Sequence, residues 1–283
     1  MRCGGLSRPM LSASAPPSRQ RCRMCADRVS HGNGRGVCIA VIDSGVHEGH
    51  PHVGRVTGGV AIDADGRTSE DYLDRIGHGT AVMAAIREKA PQADCYAVRI
   101  FDQRLSASAA TLLAAIDWAV SAQVHVINLS LGTANAAHAP AFAAAVARAS
   151  EAGVTIVSAR DADGVEWLPG SLPGVVPVQV DWTCPRDQFH IVDVDGTTVY
   201  RTSGFARPIP GVDPRRNLHG VSFAVANMTG FIARALSLTP DASIGVALRE
   251  MQVPAPHSER RPSVARASGD RGTQVVVRHA FDA

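Results

Sequence analysis

The chain is poor in lysine: of 28 basic residues among 283, only Lys89 is a lysine. The other cations are arginines scattered along the chain. Against 26 acidic residues they leave a net charge of +2. So even a balance gives no electrostatic footprint for nucleic acid or for an anionic membrane surface. No apolar run reaches the ~18 residues that suggest a membrane span. The first 36 residues contain seven arginines, Pro9, Pro16 and Pro17, but no apolar stretch of ~7–15 residues. They read as a flexible tail without a secretory signal. Cysteine is also scarce, with six residues at 3, 22, 25, 38, 95 and 184 and no spacing that suggests a disulfide framework. Cys38 and Cys95 fall inside apolar runs, where a thiol acts as a small buried hydrophobe. The expected setting is therefore a reducing, cytoplasmic one. Cys22-x-x-Cys25 has no second pair to complete a zinc site. What the chain does have is an apolar share of 45%, enough for a sizeable core and too much for wholesale disorder.

From Val37 onward strand and helix patterns alternate. Val37–Ile42 reads as a strand ending at Asp43-Ser44-Gly45. Gly79–Lys89 reads as a helix and Ala93–Phe101 as a strand. Thr111–Ala122 is helical, with Leu112, Leu113, Ile116, Ala119 and Val120 on one face. Val124–Leu131 is a strand. Ala137–Ala152 is a helix stopped by Gly153. Val154–Ala159 and Val175–Val180 are strands, Phe189–Tyr200 is a hairpin turning at Asp195-Gly196, and Phe223–Leu236 is a helix. This order predicts an α/β fold of three layers, a mainly parallel central sheet covered on both faces. Ligands then sit at the carboxyl ends of the strands. The expected division is a tail over 1–36, one domain over 37–257 and a C-terminal extension over 258–283, with a short strand at Gln274–Arg278.

Three segments carry chemistry. Asp43 ends an apolar strand, where a carboxylate is costly to desolvate unless something pairs with it. Gly77-His78-Gly79-Thr80 places a histidine at the opening of a helix. Gly220-Val221-Ser222-Phe223 places a serine before another helix. Serine there ordinarily caps the helix, but the same position offers backbone N–H groups and the positive end of the dipole to a developing oxyanion. Taken together, Ser222, His78 and Asp43 supply a nucleophile, a base and a carboxylate that orients the base.

Their order and local contexts resemble the subtilisin-like serine peptidases over Val37 to Leu236. Asp43-Ser44-Gly45 followed by His50-Pro51 is similar to the family's segment after its aspartate. Asn128-Leu129-Ser130-Leu131-Gly132 is similar to its substrate strand, and Leu172–Val178 to the strand that follows its oxyanion loop. The resemblance implies that Ser222 attacks the scissile carbonyl, that His78 moves the proton and that Asp43 fixes the imidazole. It also implies that Ser130, Leu131 and Gly132 hold an extended peptide by strand addition. It implies a peptide or protein substrate and no cofactor or metal in the chemistry. Thirty-six residues before the first strand are fewer than a folded propeptide, so unaided folding in the cytoplasm, with a narrow precursor or leader peptide as substrate, is expected.

The chain departs from the family at the oxyanion loop. Where the family reads Ala-Ala-Gly-Asn-x-Gly, this chain has Ser158-Ala159-Arg160-Asp161-Ala162-Asp163-Gly164. One register puts Ala162 at the asparagine position and the other puts Asp161 there. Val221 and Ala226-Asn227 also replace the usual residues around the serine. An alternative expectation is therefore an impaired relative that binds extended peptides without cutting them. The Asp-x-Asp-Gly segments at 63, 161 and 193 lack the glycine and glutamate of a calcium loop and are read as turns.

Overall fold

A computed structural model describes residues 32–162, 164–240 and 242–251. Cys3, Cys22, Cys25, the extension over 258–283 and the strand expected at Gln274–Arg278 lie outside the described residues. In chain order the elements are β1 (Cys38–Asp43), β2 (Gly58–Ile62), β3 (Thr68–Ser69), α1 (His78–Lys89), β4 (Asp94–Arg99), α2 (Ala109–Ser121), β5 (Val126–Leu129), α3 (Ala139–Glu151), β6 (Thr155–Ala159), β7 (Asp161–Ala162), β8 (Val165–Glu166), β9 (Val176–Val180), β10 (Phe189–Val194), β11 (Thr197–Thr202), α4 (Val221–Leu238) and α5 (Ile244–Met251).

Nine strands form one sheet in the order β10-β11-β9-β6-β5-β1-β4-β2-β3. The pairs from β11 through β2 are parallel, and only the two outer pairs, β10–β11 and β2–β3, are antiparallel. The alternation within β1 shows how the layers arise. Ile39 and Val41 join the cluster under α1 and α4, whereas Ala40 and Ile42 join the cluster under α2 and α3. Two buried faces explain why the strands read as continuous apolar runs. The expected three-layer α/β architecture is thus present.

Residues 32–36 do not belong to a tail. Gly34 N–H donates to Ser237 Oγ at 3.1 Å, and Gln92 N–H donates to the Asn33 carbonyl at 2.9 Å. The expected hairpin is present, with Asp195 and Gly196 at φ +53° and +79°, the pair of left-handed residues that a tight two-residue turn demands. The strands β2 and β3, the short hairpin β7–β8 and helix α5 are additions to the sequence reading. Helix α4 corrects another expectation. It has 18 residues and is apolar enough to match a membrane span by length and composition, yet most of it is buried against α1, α5 and the sheet.

The single lysine is enclosed. Lys89 ends α1 at 7% exposure, its ammonium 5.3 Å from the centre of the Phe231 ring and 3.1 Å from Glu88 Oε2. Arg186 grips the same carboxylate through Nη1 at 2.9 Å and Nη2 at 2.5 Å, and reaches Asn227 Oδ1 at 3.3 Å. Burial, with Arg186 adding and Glu88 opposing, pushes the Lys89 amine down to about 8. A cation whose folded value lies below its unfolded one is a cost at neutral pH, and stability then rises as pH climbs from about 8 toward the ordinary lysine range. Lys89→Met keeps the packed stem and leaves Glu88 to Arg186. Urea unfolding should show it ~1–3 kcal/mol more stable than the parent at pH 7, without the parent's gain between pH 8 and 10. A destabilised variant at pH 7 would show that the ion pair with Glu88 outweighs the burial cost.

Candidate active site

The chain changes direction across the sheet at β1, whose neighbours β4 and β5 lie on its two sides. Open α/β sheets bind ligands at the carboxyl ends of the strands beside such a switch. Asp43 is the last residue of β1. Ile42 lies opposite Leu129 of β5, so Asp43 and Ser130 both stand just beyond that paired stretch.

His78 is the first residue of α1, and its first turn lies directly on the turn after β1. A Cβ on Gly79 would come within 2.3 Å of the Gly45 carbonyl oxygen, so only glycine permits the approach. The result is a contact of 2.7 Å between His78 Nδ1 and Asp43 Oδ1. Ser44 N–H donates to the same oxygen at 2.7 Å. Asp43 is 1% exposed and His78 6%. Burial disfavours the imidazolium, but the charge and hydrogen bond of Asp43, joined by the charge of Asp74, outweigh it and hold the His78 pKa above its ordinary value. The carboxylate therefore receives Nδ1–H, which leaves Nε2 as the basic nitrogen.

Ser222 lies in the first turn of α4. It is not the cap: Gly220 occupies that position, and no side chain caps this helix. The hydroxyl instead donates to the Ser130 carbonyl at 3.1 Å, while Ser130 Oγ points back toward the Ser222 carbonyl at 3.4 Å. The next residue, Phe223, sets its ring 5.6 Å from the His78 imidazole, centre to centre. The fold thus brings Asp43 and His78 into contact and places Ser222 beside them, with its hydroxyl turned toward β5. Helix starts leave their first N–H groups without helical partners, and Ser222 itself stands among them in the first turn of α4.

The residues expected to hold a peptide are buried. Ser130 and Leu131 are each 1% exposed, and the Leu131 side chain belongs to the core under α2 and α3, so it has no side chain to offer a ligand. Gly132 abuts Trp167 and Leu168. Immediately after it the edge closes, because Thr133 and Leu168 exchange both backbone hydrogen bonds, at 3.0 and 2.8 Å.

The stretch expected to be the oxyanion loop carries the paired two-residue strands β7 and β8. Asp161 pairs with Glu166, and Ala162 with Val165. Asp161 Oδ2 accepts from Gln179 Nε2 at 2.6 Å, with Arg160 Nη1 3.7 Å away. A carboxylate held as an acceptor in this way offers no donor to an oxyanion. Ala162 packs toward the core under α1 and α4. These contacts favour the register with Ala162 at the asparagine position, which kinetics can test. Ala162→Asn should raise turnover by up to ~10²-fold with little change in KM, since such a donor pairs best with the charged intermediate; the reference magnitude comes from subtilisin, a relative. Asp161→Asn should change little. Steady-state kinetics of the two variants decide, and a gain in Asp161→Asn alone would reverse the assignment.

One carboxylate at this site escaped the sequence reading. Asp74, four residues before His78, receives five hydrogen bonds beneath the start of α1. An aspartate just ahead of a Gly-His-Gly helix start is the signal that was available.

Residues 34–163 match the subtilase family of peptidases. A thermostable alkaline protease of Halalkalibacterium halodurans is 31% identical over 225 residues, which cover 73% of this chain and 58% of that protein. Subtilisin NAT of Bacillus subtilis subsp. natto is 28% identical over 223 residues, 73% of this chain and 57% of its own length. The minor extracellular protease Epr of Bacillus subtilis is 38% identical over 141 residues, 46% of this chain and 21% of that protein. With this fold and this triad of residues, the chain belongs to the subtilase family. It spans little more than half the length of the first of these relatives.

Proposed function

We propose that the chain is a serine endopeptidase that hydrolyses peptide bonds through Ser222, His78 and Asp43. The observation that carries the reading is the buried 2.7 Å contact between His78 and Asp43, set beside a serine in the first turn of a helix. In the reaction Ser222 Oγ turns from the Ser130 carbonyl toward His78. The imidazole takes its proton as Oγ attacks the carbonyl carbon, Asp43 stabilises the imidazolium, and His78 then delivers the proton to the leaving amine. Backbone N–H groups at the start of α4 receive the oxyanion.

The finer reading is a narrow, intracellular processing role on a precursor or leader peptide. The shortness of the stretch after β5 supports it, being only Ser130–Gly132 before Thr133 joins Leu168. A stretch this short grips few residues of an extended chain. The unpaired thiols of Cys95 and Cys184 within the fold suit a reducing, cytoplasmic setting. A second reading, peptide binding without cleavage, draws on the Ser222 hydroxyl being turned to Ser130 and on Ala162. Labelling by a serine-directed fluorophosphonate separates the two. Stoichiometric labelling that Ser222→Ala abolishes supports the peptidase, and no labelling of folded protein would overturn it.

A further inference from the structure

Asp74 has no part in the triad, yet it is the most heavily engaged carboxylate near it. Its Oδ1 accepts from Ile76 N–H at 2.9 Å, Gly77 N–H at 2.8 Å and Ser44 Oγ at 2.9 Å. Its Oδ2 accepts from Thr80 N–H at 2.8 Å and Thr80 Oγ1 at 2.6 Å. Gly77, the cap of α1, has no side chain to offer. Asp74 therefore does the work of a cap from three residues upstream, where a negative charge also suits the helix dipole.

The link to Ser44 gives the arrangement a second purpose. Because the Ser44 hydroxyl spends its proton on Asp74, its oxygen is free to accept Gly79 N–H, at 2.8 Å. Ser44 N–H meanwhile donates to Asp43 Oδ1, the oxygen that His78 Nδ1 touches. Both chain neighbours of His78 are thus tied to Asp74, Gly77 directly and Gly79 through Ser44. The same serine holds Asp43. Ser44 is fully buried, so water cannot replace these bonds without opening the turn.

We propose that Asp74 is a positioning residue for His78, which acts through Ser44 and the first turn of α1 to hold the imidazole against Asp43 and adds a second negative charge behind it. The inference rests on the reading of His78 as the base. Among the described residues the charges that bear on His78 are Asp43, from the end of β1, and Asp74, from the loop before α1. Helix α4 presents the uncharged ring of Phe223. The five donors also keep Asp74 ionised: burial alone pushes its carboxyl up, and the bonds from Thr80, Gly77 and Ile76 bring it below the usual carboxylate range.

Two variants test this. Asp74→Asn removes the charge and sets an amide donor among converging donors. Ser44→Ala leaves the charge and cuts the link to Asp43. Each is compared with the parent by thermal melting, by proton NMR of the far-downfield Nδ1–H shared by His78 and Asp43, by NMR titration of His78, and by the pH profile of peptide hydrolysis. In Asp74→Asn the downfield proton should shift or broaden and His78 should titrate at lower pH. Turnover should fall by about ten- to a hundredfold with KM nearly unchanged, the scale of a small misplacement of a reacting group. Ser44→Ala should disturb the downfield proton with a smaller change in titration. The NMR measurements need no turnover, so they decide the positioning role even if the parent proves to bind peptides without cutting them. A folded Asp74→Asn with the parental downfield proton and His78 titration overturns the proposal. Should that variant not fold, an undisturbed downfield proton in Ser44→Ala overturns it equally.

Discussion

Ser222→Ala is expected to reduce peptide hydrolysis by about 10⁶-fold, the loss known from subtilisin itself, a relative of this chain, when its serine is removed. The size of the effect follows from the role. Without Oγ there is no acyl intermediate, and only bound water remains as a nucleophile near His78. The fold should survive. In the resting protein Ser222 Oγ makes one hydrogen bond, to the Ser130 carbonyl, and the net worth of such a bond is ~1 kcal/mol. For a domain of this size that corresponds to a fall in melting temperature of about 2–4 °C. Kinetics on a peptide substrate, with melting curves of both proteins, check the prediction. Activity within tenfold of the parent in purified Ser222→Ala would remove this residue from the mechanism.

Asp43→Asn should cost on the order of 10⁴-fold in kcat. Ser44 N–H and His78 Nδ1 converge on a single carboxylate oxygen, Oδ1, while Oδ2 is buried and has no hydrogen-bond partner among the described residues. An amide therefore faces two poor choices. With its carbonyl oxygen at the Oδ1 position it keeps the imidazole tautomer, buries an unpaired NH₂ and loses the charge that stabilises the imidazolium. Turned the other way, it sets its NH₂ against Nδ1 and forces the wrong tautomer. Either way His78 loses the partner that raises its pKa. General-base activity needs neutral imidazole, so the parent should gain activity as pH rises through a value above the ordinary 6.5 of histidine. In the variant this limb should move to lower pH while the plateau falls. A variant with an unmoved limb and less than a tenfold loss would show that Asp43 does not act on His78.

The triad was legible because each member lies in a short local context. Asp43 ends an apolar strand, His78 opens a helix between glycines, and Ser222 precedes a long apolar run. Much of the parallel sheet was legible for the same reason, since β1, β4, β5, β6 and β9 are apolar strands buried within the sheet. What escaped notice depends on groups distant in sequence. The position of Asp74 hints at a helix cap, but nothing around it announces that the distant Ser44 joins the donors from residues 76, 77 and 80. Lys89, Arg186 and Asn227 meet only because α1, α4 and the segment before β10 pack together. The hairpin β7–β8 was half seen: Asp-Ala-Asp-Gly gave the turn, but two-residue strands are too short to show a period. Strand β2 opens with Gly58-Gly59, which local propensity counts against a strand. The second glycine is there because a Cβ would meet the Tyr72 ring at 2.7 Å and the Ala97 carbonyl at 2.4 Å. The motif Ser130–Gly132 was recognisable, whereas its closure by Leu168 depends on a segment more than thirty residues further on.

On the proposed function, the position of α4 sets when the chain becomes dangerous to its neighbours. Synthesis delivers Asp43 and His78 early, on β1 and the helix that packs on it. Ser222 arrives on a helix whose contacts are with α1, α5, β5, β6, β9 and β11. That helix has no place to dock until those strands have paired, and pairings so distant along the chain are late and slow events in folding. A growing or partly folded chain therefore carries a base with no nucleophile to activate. On that reading, the ability to cut and the completion of the hydrophobic core come about in one step.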